Sequence, residues 1–278
     1  MSYLNSLKEK AKNSGNILCM GIDPVLEKIP IDKDPQEAID EFYTEILHAI
    51  DSSNIEIPSV KPNIAFFEQY GFEGLRALKS IIAKYKEKDI DVILDAKRGD
   101  IGKTSEAYAT SVFKFWNADA VTLHPYLGHD SVKPFLGKNK GVYILNRTSN
   151  ETAKELQNQK IGDVPVYKKV SELIVKWHEE GLGSVVGATY PEELKDISKY
   201  FAHSKKKIPL LIPGVGAQGA SPRKIIDILK EVQDDKVYLH RINSSSAINY
   251  AYLEQKTDDY AGAAVKEIKK LTAALIIE

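Results

Sequence analysis

The sequence predicts a closed (β/α)8 barrel, an α/β fold, and three observations carry that expectation. Eight short apolar runs alternate with helical stretches along 278 residues. The runs are near-continuously apolar, as parallel strands covered on both faces by helices are. Each run ends abruptly in polar or turn residues, and in a barrel those C-terminal strand ends converge on one mouth. No linker or shift of composition splits the chain. It therefore reads as a single (β/α)8 domain over residues 1–278 with a short N-terminal helix. An open doubly wound sheet is the other arrangement such alternation allows.

Residues 2–13 form that helix, with Leu4, Leu7 and Ala11 at helical spacing. The first strand, 17–22, ends at Asp23-Pro24, and a helix follows over 35–51 with Ile39, Phe42, Tyr43, Ile46, Leu47 and Ile50 on one face. The second strand, 55–60, ends at Lys61-Pro62-Asn63, and residues 66–88 are helical, weakened at Gly71 and Gly74. The third strand, 90–94, ends at Asp95, and a helical pattern runs over 101–116. The fourth, 118–123, ends at His124-Pro125 and precedes a short helix over 129–136. The fifth, 141–145, ends at Asn146-Arg147-Thr148-Ser149.

Residues 150–162 are polar without a period, and a helix then carries Val170, Leu173, Ile174 and Trp177. The sixth strand, 184–187, ends near Thr189, and Pro191 opens the next helix, where proline is tolerated in the first turn. The seventh, 208–212, ends at Pro213-Gly214 before a helix over 221–232. The eighth, 236–242, ends at Asn243, and a helix over 258–276 closes the chain.

Hydrophobic residues make up 43% of the chain, enough for a sizeable core, and the formal net charge of −1 does not single out nucleic acid as a partner. The lone cysteine, Cys19, excludes an intrachain disulfide and a multi-cysteine metal site and reads as a buried small hydrophobe. Such cysteine use suits a reducing cytosol. Residues 1–12 hold no apolar segment of signal length, and no run approaches the roughly 18–20 apolar residues of a membrane span. The expectation is a cytoplasmic protein with a small-molecule substrate and neither nucleic acid nor membrane as partner.

The densest polar cluster follows the third strand. Asp95 and Lys97 sit two apart, so on a regular strand their side chains share one side. Alone, a D-x-K at a strand end is an ordinary solvated turn. Here the ends of the first three strands all carry charge, and Asp23, Lys61, Asp95, Lys97 and Asp100 supply three negative and two positive groups. Paired, such charges share a site without the full desolvation cost of isolated ions. Structural salt bridges are the alternative.

Two further stretches suit a phosphate. Residues 213–219, Pro-Gly-Val-Gly-Ala-Gln-Gly, follow the seventh strand, where glycines permit close backbone approach and amides can cradle an anion. Residues 243–246, Asn-Ser-Ser-Ser, follow the eighth. Barrels recurrently bind phosphate after these two strands. A tight turn and a helix cap are the plainer readings. His124 and His129 complete no metal set of recognisable spacing.

Four stretches together resemble the orotidine 5′-phosphate decarboxylases, in their longer bacterial subgroup. They are Gly21-Ile22-Asp23-Pro24, Lys61-Pro62-Asn63, Asp95-Ala96-Lys97-Arg98-Gly99-Asp100-Ile101, and 213–219. The D-x-K-x-x-D-I block is the specific one, and the blocks span nearly the whole chain. The resemblance implies decarboxylation of orotidine monophosphate to uridine monophosphate without metal or organic cofactor, in a homodimer with shared active sites.

Carried over by motif, Lys97 would protonate C6 and Asp95 would press on the substrate carboxylate, with Lys61 and Asp100 completing the charge network. Asp100, Ile101 and Thr104 would enter the neighbouring subunit's site. Asp23 and Asn63 would hold the ribose side, and Ser149 or Thr148 would read the pyrimidine. Gln218 and the Gly216-Ala217 amides would bind the phosphate and close over it, with the chain around Ser245 and Ser246 beside them, and Pro213 would also line the substrate.

One departure stands out. The family has an arginine shortly after strand eight where this chain has Ser246, and a hydroxyl replaces neither its charge nor its bidentate geometry. Either Arg241, the nearest arginine in sequence though two residues before Asn243, or another basic residue or backbone amides would do that work, or phosphate binding is weaker. Two other readings remain: a Mg²⁺-dependent sister barrel acting on sugar phosphates, which carries an acidic metal ligand where Lys61 stands, and a non-catalytic phosphate-binding barrel.

Overall fold

The computed structural model describes residues 1–216 and 220–277, with residues 233–236 as backbone only. Eight parallel strands close into a barrel, and a separate two-stranded hairpin lies outside it. In chain order the barrel strands are Leu18–Ile22, Ser59–Pro62, Asp91–Arg98, Ala120–Leu123, Gly141–Arg147, Leu182–Val186, Leu210–Pro213 and Arg241–Ser244. Each pairs with its sequence neighbour, and the first closes the ring on the eighth, with Leu18 opposite Ile242 and Cys19 opposite Asn243.

Two apolar layers hold the barrel. Outward-facing strand residues such as Met20, Val60, Val92 and Ile144 pack under the helices. Inside, Cys19, Ile93, Tyr143, Val185 and Leu211 fill the barrel together with Tyr3, Leu4 and Leu7 of the N-terminal helix, Tyr3–Ser14. That helix plugs the end opposite the mouth. Its polar side is fixed there as well: Ser6 Oγ donates to Asp91 at 3.0 Å, Lys10 pairs with Asp91 at 2.8 Å, and the Tyr3 and Tyr143 hydroxyls meet at 3.0 Å.

Local chemistry sets the helix ends. Pro35–Ser52 starts at Pro35 with the Asp34 carboxylate accepting the Glu37 amide, and it buries the predicted stripe from Ile39 to Ile50. The stretch expected as one helix over 66–88 is two, Ala65–Glu68 and Gly71–Glu87. Gly71 takes a φ of +61° at the break, a conformation that costs a glycine little. The helix expected over 101–116 is α-helical only over Gly102–Thr110 and widens into a π-helical turn, with Trp116 N donating to Ser111 O.

Several strands lie further along the chain than expected. The second begins at Ser59 and includes Lys61 and Pro62, and the third continues past Asp95 to Arg98. The eighth begins only at Arg241, because Asp234–Leu239 is a 3-10 helix. The polar stretch 150–162 is ordered into short helices, Glu151–Ala153 and Lys154–Gln157, and the strand Lys160–Ile161, which pairs with Val164–Pro165.

Candidate active site

At the mouth, Asp95 lies between two lysines. Lys61 Nζ donates to its Oδ2 at 2.7 Å and Lys97 Nζ to its Oδ1 at 2.7 Å. Lys61 and Asp95 are buried, whereas the Lys97 side chain is 44% exposed and faces open space. Burial works against both buried charges, and the opposite charges outweigh it. The Asp95 carboxyl is held well below the usual carboxylate range by Lys61 and Lys97, and the Lys61 ammonium is held above the usual lysine value by Asp95 and Asp23. Both stay ionised at neutral pH.

Asp95 and Lys97 meet through a bulge rather than a regular pleat. Leu94 pairs with Val121 and Arg98 with Leu123, so three residues of the third strand stand opposite Thr122 alone. Lys97 adopts a φ of +45° there, a left-handed conformation unusual for a non-glycine residue. Thr122 holds it: its hydroxyl accepts the Lys97 amide at 3.0 Å and donates to Asp95 Oδ1 at 2.8 Å. Sequence reasoning missed Thr122. Its signal is a lone hydroxyl in the apolar run Ala120–Leu123.

Lys61, Asp95, Lys97 and Thr122 form the polar floor of a cleft of about 360 Å³, walled by Leu145, Val185, Leu211 and Pro213 and rimmed by Thr148, Ser149 and Asn150. Charged floor and apolar walls together suit a flat, polar-edged ring. The rim is fixed from outside the barrel. Gln157 Oε1 accepts from Thr148 N at 3.0 Å and from Arg147 at 3.2 Å, and Gln157 Nε2 donates to the Thr148 hydroxyl at 2.8 Å. That hydroxyl donates in turn to Asn150 at 2.7 Å. The buried Arg147 guanidinium also pairs with Glu193 and stacks 4.1 Å from the Tyr190 ring centroid. Thr148 is thus occupied within the protein, whereas the Ser149 hydroxyl makes no hydrogen bond among the described residues.

Asp23 and Asn63 flank this floor. Asp23 acts electrostatically on Lys61, and its buried Oδ1 has no partner among the described residues. Asn63 forms a bridge to Asp95, with Ile64 N donating to Asp95 O at 3.3 Å.

Asp100, Ile101 and Thr104 do not join the cleft of their own chain. The Asp100 carboxylate accepts the Ile101 amide at 2.8 Å and makes no ion pair among the described residues, and Ile101 is 57% exposed. Gly216, Ser245 and Ser246 line a second cleft beside the first, together with Ser244, Lys28 and Tyr250. Ala217 and Gln218 lie outside the described residues.

Arg241 is not available to that second cleft. It is fully buried at the start of the eighth strand, donating to the carbonyls of Tyr238, His240 and, at 2.9 Å, Leu7 of the plugging helix. Of the alternatives for the missing arginine, Arg241 is therefore ruled out: the strand begins at this residue, which puts it at the closed end of the barrel.

Comparison with known proteins agrees with this geometry. The sequence model of the orotidine 5′-phosphate decarboxylase / HUMPS family matches residues 16–273. The orotidine 5′-phosphate decarboxylase of Flavobacterium johnsoniae is 40% identical over 273 residues, covering 95% of this chain and 94% of that protein. That of Herpetosiphon aurantiacus is 38% identical over 255 residues, covering 90% of each. The solved structure of Leishmania donovani OMP decarboxylase superposes with a TM-score of 0.78 at 33% identity, covering 99% of this chain and 98% of that one. The chain therefore belongs to the orotidine 5′-phosphate decarboxylase / HUMPS family.

Proposed function

We propose that this chain is a carboxy-lyase that converts orotidine 5′-phosphate to uridine 5′-phosphate in pyrimidine nucleotide synthesis. The observation that carries this reading is the Lys61–Asp95–Lys97 array at the floor of an apolar-walled cleft, with one lysine buried and the other exposed to the cleft. Together the three carry one net positive charge, which suits a carboxylated substrate.

Breaking the bond between C6 and the carboxylate releases carbon dioxide and leaves its electron pair on C6. The barrier is therefore the cost of a localised carbanion. A fixed ammonium stabilises that charge more as it develops than it stabilises the neutral ring beforehand. Lys97 is the ammonium with access, and it donates its proton to C6 to complete the product. Asp95 holds Lys97 in place and crowds the departing carboxylate, and Lys61 keeps Asp95 ionised from the buried side. Asp23 and Asn63 bind the ribose, Ser149 reads the pyrimidine, and Pro213 forms part of the wall. Gly216, Ala217, Gln218, Ser245 and Ser246 bind at the phosphate end.

We assign Asp100, Ile101 and Thr104 to the site of a second subunit in a homodimer. Their position outside their own cleft supports this, as do the exposed Tyr126 and Leu127 at the same end of the barrel, 85% and 44% exposed. Residues 1–278 then act as one domain, in the cytoplasm, without nucleic acid as partner. Among the described residues no helix is long and apolar enough to cross a membrane.

A Mg²⁺-dependent sugar-phosphate chemistry is the second reading, since the family model spans more than one activity. Lys61 disfavours it: a cation bound at Asp95 would have to displace an ammonium already 2.7 Å from that carboxylate. Loss of orotidine 5′-phosphate absorbance in the presence of a chelator tests the proposal. Chelator-insensitive turnover supports it, and absence of turnover with this substrate overturns it.

A further inference from the structure

The second cleft at the mouth contains one base and one acid among the described residues lining it, Lys28 and Glu254. We propose that Lys28 is the cation that binds the substrate phosphate, with the Ser244 hydroxyl as its neutral partner. The inference rests on the decarboxylase reading and adds the group that supplies the charge.

A phosphate dianion taken out of water needs a positive charge as well as hydroxyls and amides. Arg241 is held at the closed end of the barrel, and Ser246 brings no charge. Lys28 lies in a short 3-10 turn, Leu26–Lys28, that follows the first strand and folds over the chain after the eighth. Three hydrogen bonds fix that turn to the two tyrosines beyond the serines. Tyr252 Oη donates to Lys28 O at 2.7 Å, Tyr250 Oη donates to Asp23 O at 2.8 Å, and Val25 N donates back to Tyr250 Oη at 2.8 Å. The Lys28 stem is thereby anchored while its ammonium, 5.2 Å from the Tyr250 ring centroid, makes no ion pair among the described residues. A tethered backbone and an unpaired ammonium at a cleft suit capture of an anion.

Ser244 supplies an independent observation. The residue is 2% exposed, its Oγ has no hydrogen-bond partner among the described residues, and it lines the same cleft. A buried hydroxyl left unsatisfied is costly, and one bordering a cleft is satisfied by a bound acceptor. It lies against Gly216, since a Cβ built on that glycine would sit 3.3 Å from Ser244 Oγ. Gly216 has a φ of +143° and Gly214 a φ of +90°, conformations open to glycine, and without side chains the backbone there leaves room for close approach of a ligand. Ammonium, hydroxyl and glycine turn therefore border one space.

The test is calorimetric binding of uridine 5′-phosphate and of uridine to the full-length protein and its variants. Lys28 is exposed, so its replacement leaves the core intact. Lys28→Ala is expected to weaken uridine 5′-phosphate binding roughly tenfold to a hundredfold, the loss that follows removal of a charged hydrogen bond, and to leave uridine binding unchanged. Lys28→Arg keeps most of the affinity. Adding Ser246→Arg to Lys28→Ala restores it, because the charge returns to the same cleft. Uridine 5′-phosphate binding that is unchanged in Lys28→Ala overturns the assignment. So does a loss of uridine binding in equal measure, which would mean a structural role. A wild-type protein that binds neither ligand overturns the decarboxylase reading itself, and is distinguishable because it needs no variant.

Discussion

Thr122 and Asp95 are joined across the third and fourth strands by a 2.8 Å hydrogen bond from the threonine hydroxyl to Asp95 Oδ1, the oxygen that also accepts from Lys97. The same hydroxyl caps the amide of Lys97 at its left-handed φ. One side chain thus positions both the acid and the lysine of the D-x-K block. Replacing it with valine keeps the shape but removes the donor and the acceptor. Thr122→Val should lower kcat about tenfold, from a loss of roughly 1–2 kcal/mol in a buried charged network, with KM less affected. Thr122→Ser should retain most activity. Steady-state kinetics of the two variants decide it, and equal loss in both would mean that packing matters rather than the hydroxyl.

Gln157 clamps the rim that carries Ser149. Its carboxamide bonds both the amide and the hydroxyl of Thr148. Gln157→Leu should let the rim shift and raise KM for orotidine 5′-phosphate about tenfold, a cost of roughly 1–2 kcal/mol for the paired hydrogen bonds. The variant should unfold at nearly the wild-type temperature, because Gln157 lies outside the barrel. An unchanged KM would show that the rim holds its shape without the clamp.

Arg241 is structural. Arg241→Leu strands the carbonyls of Leu7, Tyr238 and His240 and loosens the helix that plugs the barrel. Chemical denaturation should show a loss of about 2–4 kcal/mol, as expected for breaking a buried charged network. KM of the folded variant should match the wild type. A raised KM with unchanged stability would return Arg241 to the phosphate site.

Asp100 is assigned to the neighbouring subunit. Lys97→Ala and Asp100→Ala proteins should each be inactive, and their verified mixed dimers should regain activity because one of the two shared sites is then intact. Absence of recovery in such heterodimers would contradict the assignment in trans.

The barrel was legible in the sequence because each strand is a short apolar run with an abrupt polar end, and that signal survives without tertiary information. Lys61, Asp95 and Lys97 were legible for the same reason: charges at successive strand ends have one place to converge. The bulge was not. Period-2 alternation puts Asp95 and Lys97 on one side, but the chain reaches that result by inserting residues opposite Thr122, which depends on the partner strand. The eighth strand was placed too early because Val237 and Leu239 are apolar within a 3-10 turn, where they pack as well as strand residues do. That shift concealed the role of Arg241. The hairpin after residue 159 is too short to carry a periodic pattern, and the Gln157 clamp is specified by its contacts with the rim.

Turnover by Lys97→Ala, measured beside its affinity for uridine 5′-phosphate, tests the central claim most directly. If Lys97 protonates C6, decarboxylation falls by roughly a thousandfold or more, the combined loss of an acid and of a fixed charge at the carbanion. Product binding and unfolding temperature stay close to wild type, because the Lys97 side chain is exposed to the cleft and packs little. Near-normal turnover by the folded variant would contradict the claim.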